Sequence, residues 1–282
     1  MPEMKFTFGK PDVLTPDPGL FGPDSLSWRI HSDPSATVGG IRALLLQGLH
    51  PEAMAGVEAH SVYREDPWGR LFRTAEYIAV ITFGTKTEAN SAAEKVRAIH
   101  RRLNLDKPEW LLWVHAGFTD SMLECAIRSG VPINDEQADR YVQEQVIAAR
   151  LIGIEQDDVF TTYSQLKAYF AEMRPFLKAS EESREAVKFL VVPPMPNKTR
   201  YLTPAQTLWA GMATTAFAAL PSWAREMYAG SLLAPVISKV PLADAATSAS
   251  MWAWRRALLV VPERIRKSPH VAAAEERLGL AA

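Results

Sequence analysis

Three capping boxes constrain the fold of this chain more than any other feature of its sequence. Thr85 to Glu88, Asn134 to Gln137 and Thr162 to Gln165 each place an acid or amide three residues after a side chain that caps helix N-termini. Each box opens a segment with apolar residues at three- and four-residue steps: Ala92, Val96, Ile99 and Leu103; Tyr141, Val142, Val146, Ala149 and Ile152; and Leu166, Tyr169, Phe170 and Met173. Gly153 and Pro175 end the last two segments, and alternating strand patterns are rare. The sequence therefore predicts a mostly α-helical protein.

The remaining elements fit one domain. Further helices are predicted over Pro204 to Leu220, Ser222 to Leu233 and Ala245 to Val260, and three prolines predict an extended connector over Val191 to Pro196. With 282 residues, 48% of them apolar, the chain is long enough for one large core, and no linker or repeat divides it. We expect a Pro-rich N-terminal arm over residues 1–20 and a single helical domain over residues 21–282.

Charge and cysteine content narrow the classes of partner. The 31 Lys and Arg residues balance 32 Asp and Glu residues, which argues against nucleic acid and anionic membranes as partners. A single cysteine, Cys125, excludes an intramolecular disulfide and Cys-rich zinc or iron–sulfur sites within one chain. We expect Cys125 to pack as a small apolar residue.

The sequence predicts neither a secretory signal nor a transmembrane span. Residues 1–23 carry five prolines and mixed charge with no apolar h-region, so we expect a cytoplasmic protein. The longest uncharged stretch, Tyr201 to Ala224, is bracketed by Pro204 and Pro221 and diluted by Thr, Gln, Gly and Ala. It is predicted to be a buried helix.

The strongest candidate for chemistry is a single histidine in an apolar helix. Nucleotide-binding and hydrolase motifs are absent, but Trp110 to Phe118 is apolar on every helical face around His115. Burial favours the neutral imidazole, which is the form that a proximal haem ligand requires. The alternative is a core histidine that is satisfied by a backbone carbonyl.

A second candidate is the segment from Arg70 to Thr74. Arg70 and Thr74 fall one helical turn apart, where a guanidinium and a hydroxyl could hold a haem propionate or polarise bound oxygen. The alternative is a structural arginine that caps carbonyls or pairs with Glu76 or Asp66.

A third candidate is the pair His50 and His60, which could form a non-haem iron site with Glu52, Glu58 or Asp66. Their spacing matches no standard metal-ligand pattern, and the alternatives are a helix cap and a surface histidine. The other histidines are expected to be solvated; they are His31, His100 and His270.

Taken in order, these segments resemble the haem oxygenase family that contains the mycophenolic-acid-pathway oxygenase and, more distantly, the rubber oxygenase called latex clearing protein. The resemblance runs from Leu20-Phe21-Gly22-Pro23-Asp24-Ser25 and Trp28 through Leu45 to His50-Pro51, His60-Ser61, Arg70-Leu-Phe-Arg-Thr74, Phe83-Gly84-Thr85, His100, Trp113-Val114-His115-Ala116, Asp120-Ser121, Tyr141, Glu144 and Gly153 to Leu220-Pro221, Arg225 and Tyr228. It implies an all-α, globin-like fold around haem b. It also implies that His115 is the axial iron ligand and that Arg70, Arg73 and Thr74 lie near the haem.

The resemblance implies a haem-dependent oxygenase or peroxygenase that acts on a small apolar substrate with dioxygen or peroxide. The segment from His100 to His115 is shorter than the family pattern, and the catalytic-base glutamate of the rubber oxygenase has only Glu52 and Glu58 in its neighbourhood. A non-catalytic protein that binds haem or an apolar ligand on the same fold is therefore the alternative. Homodimerisation through an apolar helix is an ordinary possibility for such a protein.

Overall fold

The structure, a computed structural model, describes residues 8–60, 66–195, 197–229 and 243–280. Within these ranges every regular element is helical, so the fold is all-α, as predicted. The helices are α1 (Leu26–His31), α2 (Ser35–Gln47), α3 (Pro51–His60), α4 (Pro67–Phe83), α5 (Lys86–Arg102), α6 (Pro108–Arg128), α7 (Asp135–Ile152), α8 (Tyr163–Met173), α9 (Glu181–Val191), α10 (Asn197–Leu202), α11 (Ala205–Ala218), α12 (Ser222–Met227), α13 (Ala243–Leu259), α14 (Glu263–Arg266) and α15 (Pro269–Arg277).

The three predicted capping boxes all form. In α5, α7 and α8 the capping side chain accepts a hydrogen bond from the backbone of the third helical residue, whose own side chain bonds back to the cap. Gly153 ends α7 with φ +101°, a left-handed conformation that favours glycine. Helix α8 ends at Met173, and a 3₁₀ turn that contains Pro175 follows it.

Helix α6 forms the centre of the fold and packs most extensively along α2. Glycines let the two backbones approach: a Cβ added to Gly39 would lie 2.8 Å from Met122 Sδ, and one added to Gly117 would lie 3.0 Å from Gln47 Cγ. The indole of Trp113 donates to the Gln47 carbonyl at 2.9 Å. This packing fixes the helix on which His115 lies.

One large core surrounds α6, and after α6 itself the helices α2, α7 and α11 contribute the most buried side chains. Its largest fully buried members include Trp113, Tyr141, Phe217 and Tyr228. Cys125 is completely buried within it, as predicted, and burial raises the pKa of its thiol to about 12. Cys125 is therefore an inert packing residue.

The described part of the N-terminal arm, residues 8–20, contains no helix and crosses the hairpin of α4 and α5. The Asp12 amide donates to Glu88 Oε1 at 2.8 Å, and Asp17 Oδ2 accepts from the Lys86 amide at 2.8 Å. From α15, Arg277 donates to the carbonyls of Asp17 and Phe83. The domain boundary predicted at residue 20 stays a prediction.

The uncharged stretch Tyr201 to Ala224 is divided into three helical pieces, which agrees with the separate helices predicted from Pro204 and Ser222 and not with one buried helix over the whole stretch. It contains the end of α10, all of α11 and the start of α12, because Pro204 and Pro221 lack the amide hydrogen that a continuous helix needs. Only the C-terminal part of α11 is buried. No helix within the described ranges is long and apolar enough to cross a membrane.

Two other predicted segments are only partly described. The helix predicted over 222–233 ends at Met227, and its last residues lie outside the described ranges, which stop at 229. The connector predicted over 191–196 is irregular at 192–195, and Pro196 lies outside the described residues.

Candidate functional site

His115 is a buried histidine with one ring nitrogen that forms no hydrogen bond to a described residue. The residue lies in the middle of α6 and is 4% exposed. The ring of Phe160, from the loop before α8, lies nearly parallel to it, with centroids 5.6 Å apart and planes at 17°. Its Nε2 atom is enclosed and has no hydrogen-bond partner among the described residues. Buried polar atoms are rarely left in this state, so the atom is suited to a ligand.

Electrostatics keep this imidazole neutral. Burial lowers the pKa of His115 to about 4, because the apolar surroundings disfavour the charged ring. A neutral imidazole offers one nitrogen lone pair, which is what a metal ion needs from a histidine ligand. The alternative of a fully satisfied core histidine does not account for the free Nε2.

Helix α4 carries the other predicted site residues in its first two turns. Its N-terminus begins after Asp66, whose side chain accepts from the Gly69 amide at 2.8 Å. Arg70 is half-buried, whereas Arg73 and Thr74 are exposed. Arg73 Nη1 donates to Asp66 Oδ2 at 3.2 Å, and Thr74 Oγ1 donates to the Arg70 carbonyl at 3.1 Å. Arg73 thus makes the kind of ion pair with Asp66 that was the alternative for Arg70.

His31, which sequence reasoning assigned to solvent, is half-buried, and its ring links three helices. Its Nδ1 lies 2.8 Å from Thr82 Oγ1 on α4, and its Nε2 lies 2.9 Å from Tyr141 Oη on α7. The Thr82 hydroxyl donates its hydrogen to the Ile78 carbonyl, so it can only accept a hydrogen bond from His31 Nδ1. In the neutral ring the other nitrogen, Nε2, then accepts a hydrogen bond from the Tyr141 hydroxyl. The prediction of solvation was wrong; the apolar residues of α1 beside His31 were the available signal.

The same ring connects α4 to the His115 helix. Phe118, on α6, packs edge-on against His31 with centroids 5.4 Å apart at 71°. Phe118 is one turn after His115, and Thr82 is two turns after Thr74. His31 therefore contacts both helices that carry predicted site residues, but it meets α4 at Thr82 and does not bring Thr74 to His115. Burial lowers the pKa of His31 to about 3, so this connection contains a neutral ring.

The pair His50 and His60 does not form a described metal site. His50 Nδ1 accepts from the Ala53 amide at 3.2 Å, which is the helix-cap alternative. The side chain of His60 lies outside the described residues. Glu52 accepts from the Trp110 indole at 3.3 Å. No group of three or more His, Cys, Asp or Glu side chains that could hold a metal occurs among the described residues.

Two further histidines also differ from expectation. His270 is buried, and burial lowers its pKa. His100 is half-buried, and its Nδ1 is enclosed without a hydrogen-bond partner among the described residues. Both were predicted to be solvated. In each case an apolar helix neighbour, Val271 or Ile99, was the signal that pointed the other way.

The fold and the site define an all-helical protein with a neutral, unpartnered imidazole at the centre of its core. Residues 28–260 match the family described as ER-bound oxygenase mpaB/B'/rubber oxygenase, catalytic domain. The chain therefore belongs to this family of oxygenase catalytic domains, which confirms the resemblance seen in the sequence. Neither the curated proteins nor the solved structures gave a significant match.

Proposed function

We propose that this protein is a b-type haem-dependent oxygenase in which His115 Nε2 would hold the haem iron. The observation that carries the proposal is the enclosed Nε2 atom without a partner, on a ring that burial keeps neutral. Among the described residues, His115 belongs to no group of three or more His, Cys, Asp or Glu side chains, which suits a porphyrin iron, because a non-haem site needs several protein ligands. Family membership supports oxygenase activity in general.

Each of the proposed site residues would have a distinct role in haem binding or oxidation. His115 would hold the iron, and Phe160 would fix the plane of the imidazole. Arg70 would bind a propionate, and Arg73 would contribute to the same cationic end of α4. Thr74 would present a hydroxyl after releasing the Arg70 carbonyl. Haem b would supply the chemistry by which dioxygen or peroxide oxidises a substrate.

The surroundings of His115 favour an apolar substrate. Leu111, Leu112 and Phe118 lie on the same side of α6 as His115, and Phe160 covers the imidazole. Side chains of this kind exclude water and supply apolar contact area but no charge. We therefore propose a small apolar substrate. Cytoplasmic residence and homodimerisation stay predictions.

One observation favours a second candidate, a protein that binds haem or an apolar ligand without turnover. Arg73 is engaged by Asp66, and the Thr74 hydroxyl is engaged by the backbone, so neither group is free as the structure stands. Haem bound in stoichiometric amount, with no consumption of peroxide or of oxygen in the presence of apolar test substrates, would support this candidate over the oxygenase.

The test is an absorption spectrum and a pyridine haemochrome assay of the protein expressed with an adequate haem supply. We expect a near-stoichiometric Soret band that is lost in His115→Ala, with helical circular dichroism largely unchanged. His50→Asn is the matched control, because it removes a buried imidazole that caps α3 and leaves a side chain that can still cap. Full haem occupancy in His115→Ala, or no haem after reconstitution, would overturn the proposal. Iron without porphyrin would favour the non-haem alternative.

A further inference from the structure

A cavity of about 480 Å³ lies on the side of α6 that faces away from His115. Asp120 and Glu124 line it, and they follow His115 by five and nine residues, which places them roughly 140° and 180° around the helix. The volume falls within the range of roughly 300–1,000 Å³ that is typical of small-molecule sites. The cavity is therefore separate from the proposed haem site, and nothing in that proposal uses it.

The floor of the cavity is a neutralised, rigid ion pair. Arg42 Nη1 donates to Asp120 Oδ2 and to Ser121 Oγ, both at 2.7 Å, and Arg42 Nε donates to the Ala219 carbonyl at 3.0 Å. Arg42 is only 2% exposed. Because these groups satisfy one another, the floor holds its shape without a ligand.

The rim carries two cations that form no ion pair with a described carboxylate. Lys167 Nζ lies 4.4 Å from the centroid of the Tyr163 ring, and the Arg174 guanidinium lies 5.3 Å from that of Trp223. Lys167, Phe170 and Arg174 follow one another at steps of three and four residues, so they share one face of α8 and its 3₁₀ extension. Both cations are exposed, and both line the cavity.

The remaining charges leave the cavity with a cationic surplus. Four of its lining side chains are cationic, and three are carboxylates: Arg42, Arg128, Lys167 and Arg174 against Asp120, Glu124 and Asp244. Asp244 also pairs at 3.0 Å with Arg225, which lies outside the lining. Glu124 accepts a hydrogen bond from the Tyr163 hydroxyl. A lining of this kind favours a ligand with an anionic group.

The walls between floor and rim are apolar. Leu46, Phe170, Leu220 and Trp223 line them, and the rings of Phe170 and Trp223 pack with centroids 6.3 Å apart. Such walls contribute binding free energy through burial of apolar ligand surface rather than through hydrogen bonds. A purely inorganic anion would leave this part of the cavity unused.

We propose that this cavity is a second binding site, which takes an amphipathic organic anion. The carboxylate of the ligand binds Lys167 and Arg174 at the rim, and its apolar body lies between Phe170, Trp223 and Leu220. The site is independent of haem, since it is built on the opposite side of α6 from His115.

Isothermal titration calorimetry of the full chain tests the site, with decanoate as the probe and decanol and inorganic phosphate as comparisons. We expect decanoate to bind more tightly than either. The double variant Lys167→Gln/Arg174→Gln should weaken decanoate binding by at least about tenfold, since each charge-assisted hydrogen bond is typically stronger than a neutral one. The matched control is Lys188→Gln/Arg102→Gln, which removes two exposed cations away from the cavity.

Any one of the following results would overturn the inference. The first is decanoate binding that is absent or no tighter than decanol binding, and the second is phosphate binding as tight as that of decanoate. The third is decanoate binding that the rim variant leaves intact. Ser222→Trp gives a second check, because an indole at this lining position should fill the opening and abolish binding. Decanoate binding should persist in His115→Ala; its loss there would assign the anion to the haem site.

Discussion

His115 and Phe160 stack almost face to face, with ring centroids 5.6 Å apart and planes at 17°. Phe160 comes from the segment between α7 and α8, so a residue 45 positions away in sequence sets the orientation of the imidazole. Phe160 packs in turn near Tyr169 of α8, at 6.0 Å between centroids. The plane of the proposed iron ligand therefore depends on α8 as well as on its own helix.

Replacing Phe160 with Leu should weaken the hold on haem. The change keeps an apolar side chain but removes the ring that lies over the imidazole. We expect haem to dissociate about two- to tenfold faster, which corresponds to the roughly 0.5–1.5 kcal/mol of an aromatic contact. Transfer of haem to an excess of apomyoglobin measures the rate.

Phe170→Leu is the matched control for this change. Phe170 is buried nearby and packs edge-on against Trp113 at 5.6 Å, but it does not stack on His115. Both variants should lose about 1 kcal/mol of unfolding free energy. Only Phe160→Leu should change haem dissociation; equal effects in both would mean that the stack has no specific role.

Thr74→Val should leave haem bound but change its reactivity toward anionic ligands. The substitution removes one hydroxyl at nearly constant volume. If Thr74 faces the haem, azide should bind the ferric protein about fivefold more weakly, since a hydrogen bond contributes roughly 1 kcal/mol. A spectrophotometric azide titration measures the affinity.

Thr215→Val is the control for the loss of the hydrogen bond from a threonine hydroxyl to a helix carbonyl, which Thr74→Val also removes. Thr215 on α11 also donates to a carbonyl four residues earlier, that of Gly211, at 2.9 Å. Its loss should affect stability as Thr74→Val does and leave azide affinity unchanged. Identical azide affinities in the wild type and Thr74→Val would remove Thr74 from the proposed site.

The sequence predicted the helices well because their signals are local. The caps at Thr85, Asn134 and Thr162 lie within four residues of the groups that they bond, and all three form as expected. The burial of His115 could also be predicted, since apolar residues surround it on every face of a single helix. Features that depend on residues within about one helical turn of each other can therefore be predicted from the sequence.

Contacts between distant segments could not be predicted in the same way. Arg42 and Asp120 are 78 residues apart, and His31 and Tyr141 are 110 apart. No pattern within one helical turn identifies either partner, although the apolar residues of α1 did indicate burial beside His31. His31 was nevertheless assigned to solvent, and the cavity beside Arg42 was not anticipated.

The buried histidines should make the stability of the haem-free protein depend on pH. His31 and His115 have folded-state pKa values lowered to about 3 and about 4, below the unfolded value of 6.5. The unfolded chain therefore binds more protons below pH 6.5, so unfolding free energy falls as the pH falls through this window. At about pH 5.5 each of the two rings should lower the free energy of unfolding by about 1.4 kcal/mol relative to its value at neutral pH.

Urea denaturation of the haem-free protein between about pH 7.5 and 5.5 measures this dependence. His31→Gln should reduce the pH-dependent loss by the share of one histidine, although the variant itself is less stable at neutral pH. An unchanged pH dependence in His31→Gln would show that the pKa of His31 is the same in the folded and the unfolded chain. A flat profile in the wild type would contradict burial of both rings.

The ion pair between Arg42 and Asp120 should be costly to break and inexpensive to replace. Asp120→Ala leaves the Arg42 guanidinium buried without its counter-ion, which should cost about 3–5 kcal/mol of unfolding free energy. The double variant Arg42→Met/Asp120→Leu removes both charges, and apolar side chains then take their place. It should recover most of that loss, as measured by urea denaturation at neutral pH. If the double variant is as unstable as Asp120→Ala, the hydrogen bonds from Arg42 to Ser121 and Ala219 are what stabilise this part of the fold.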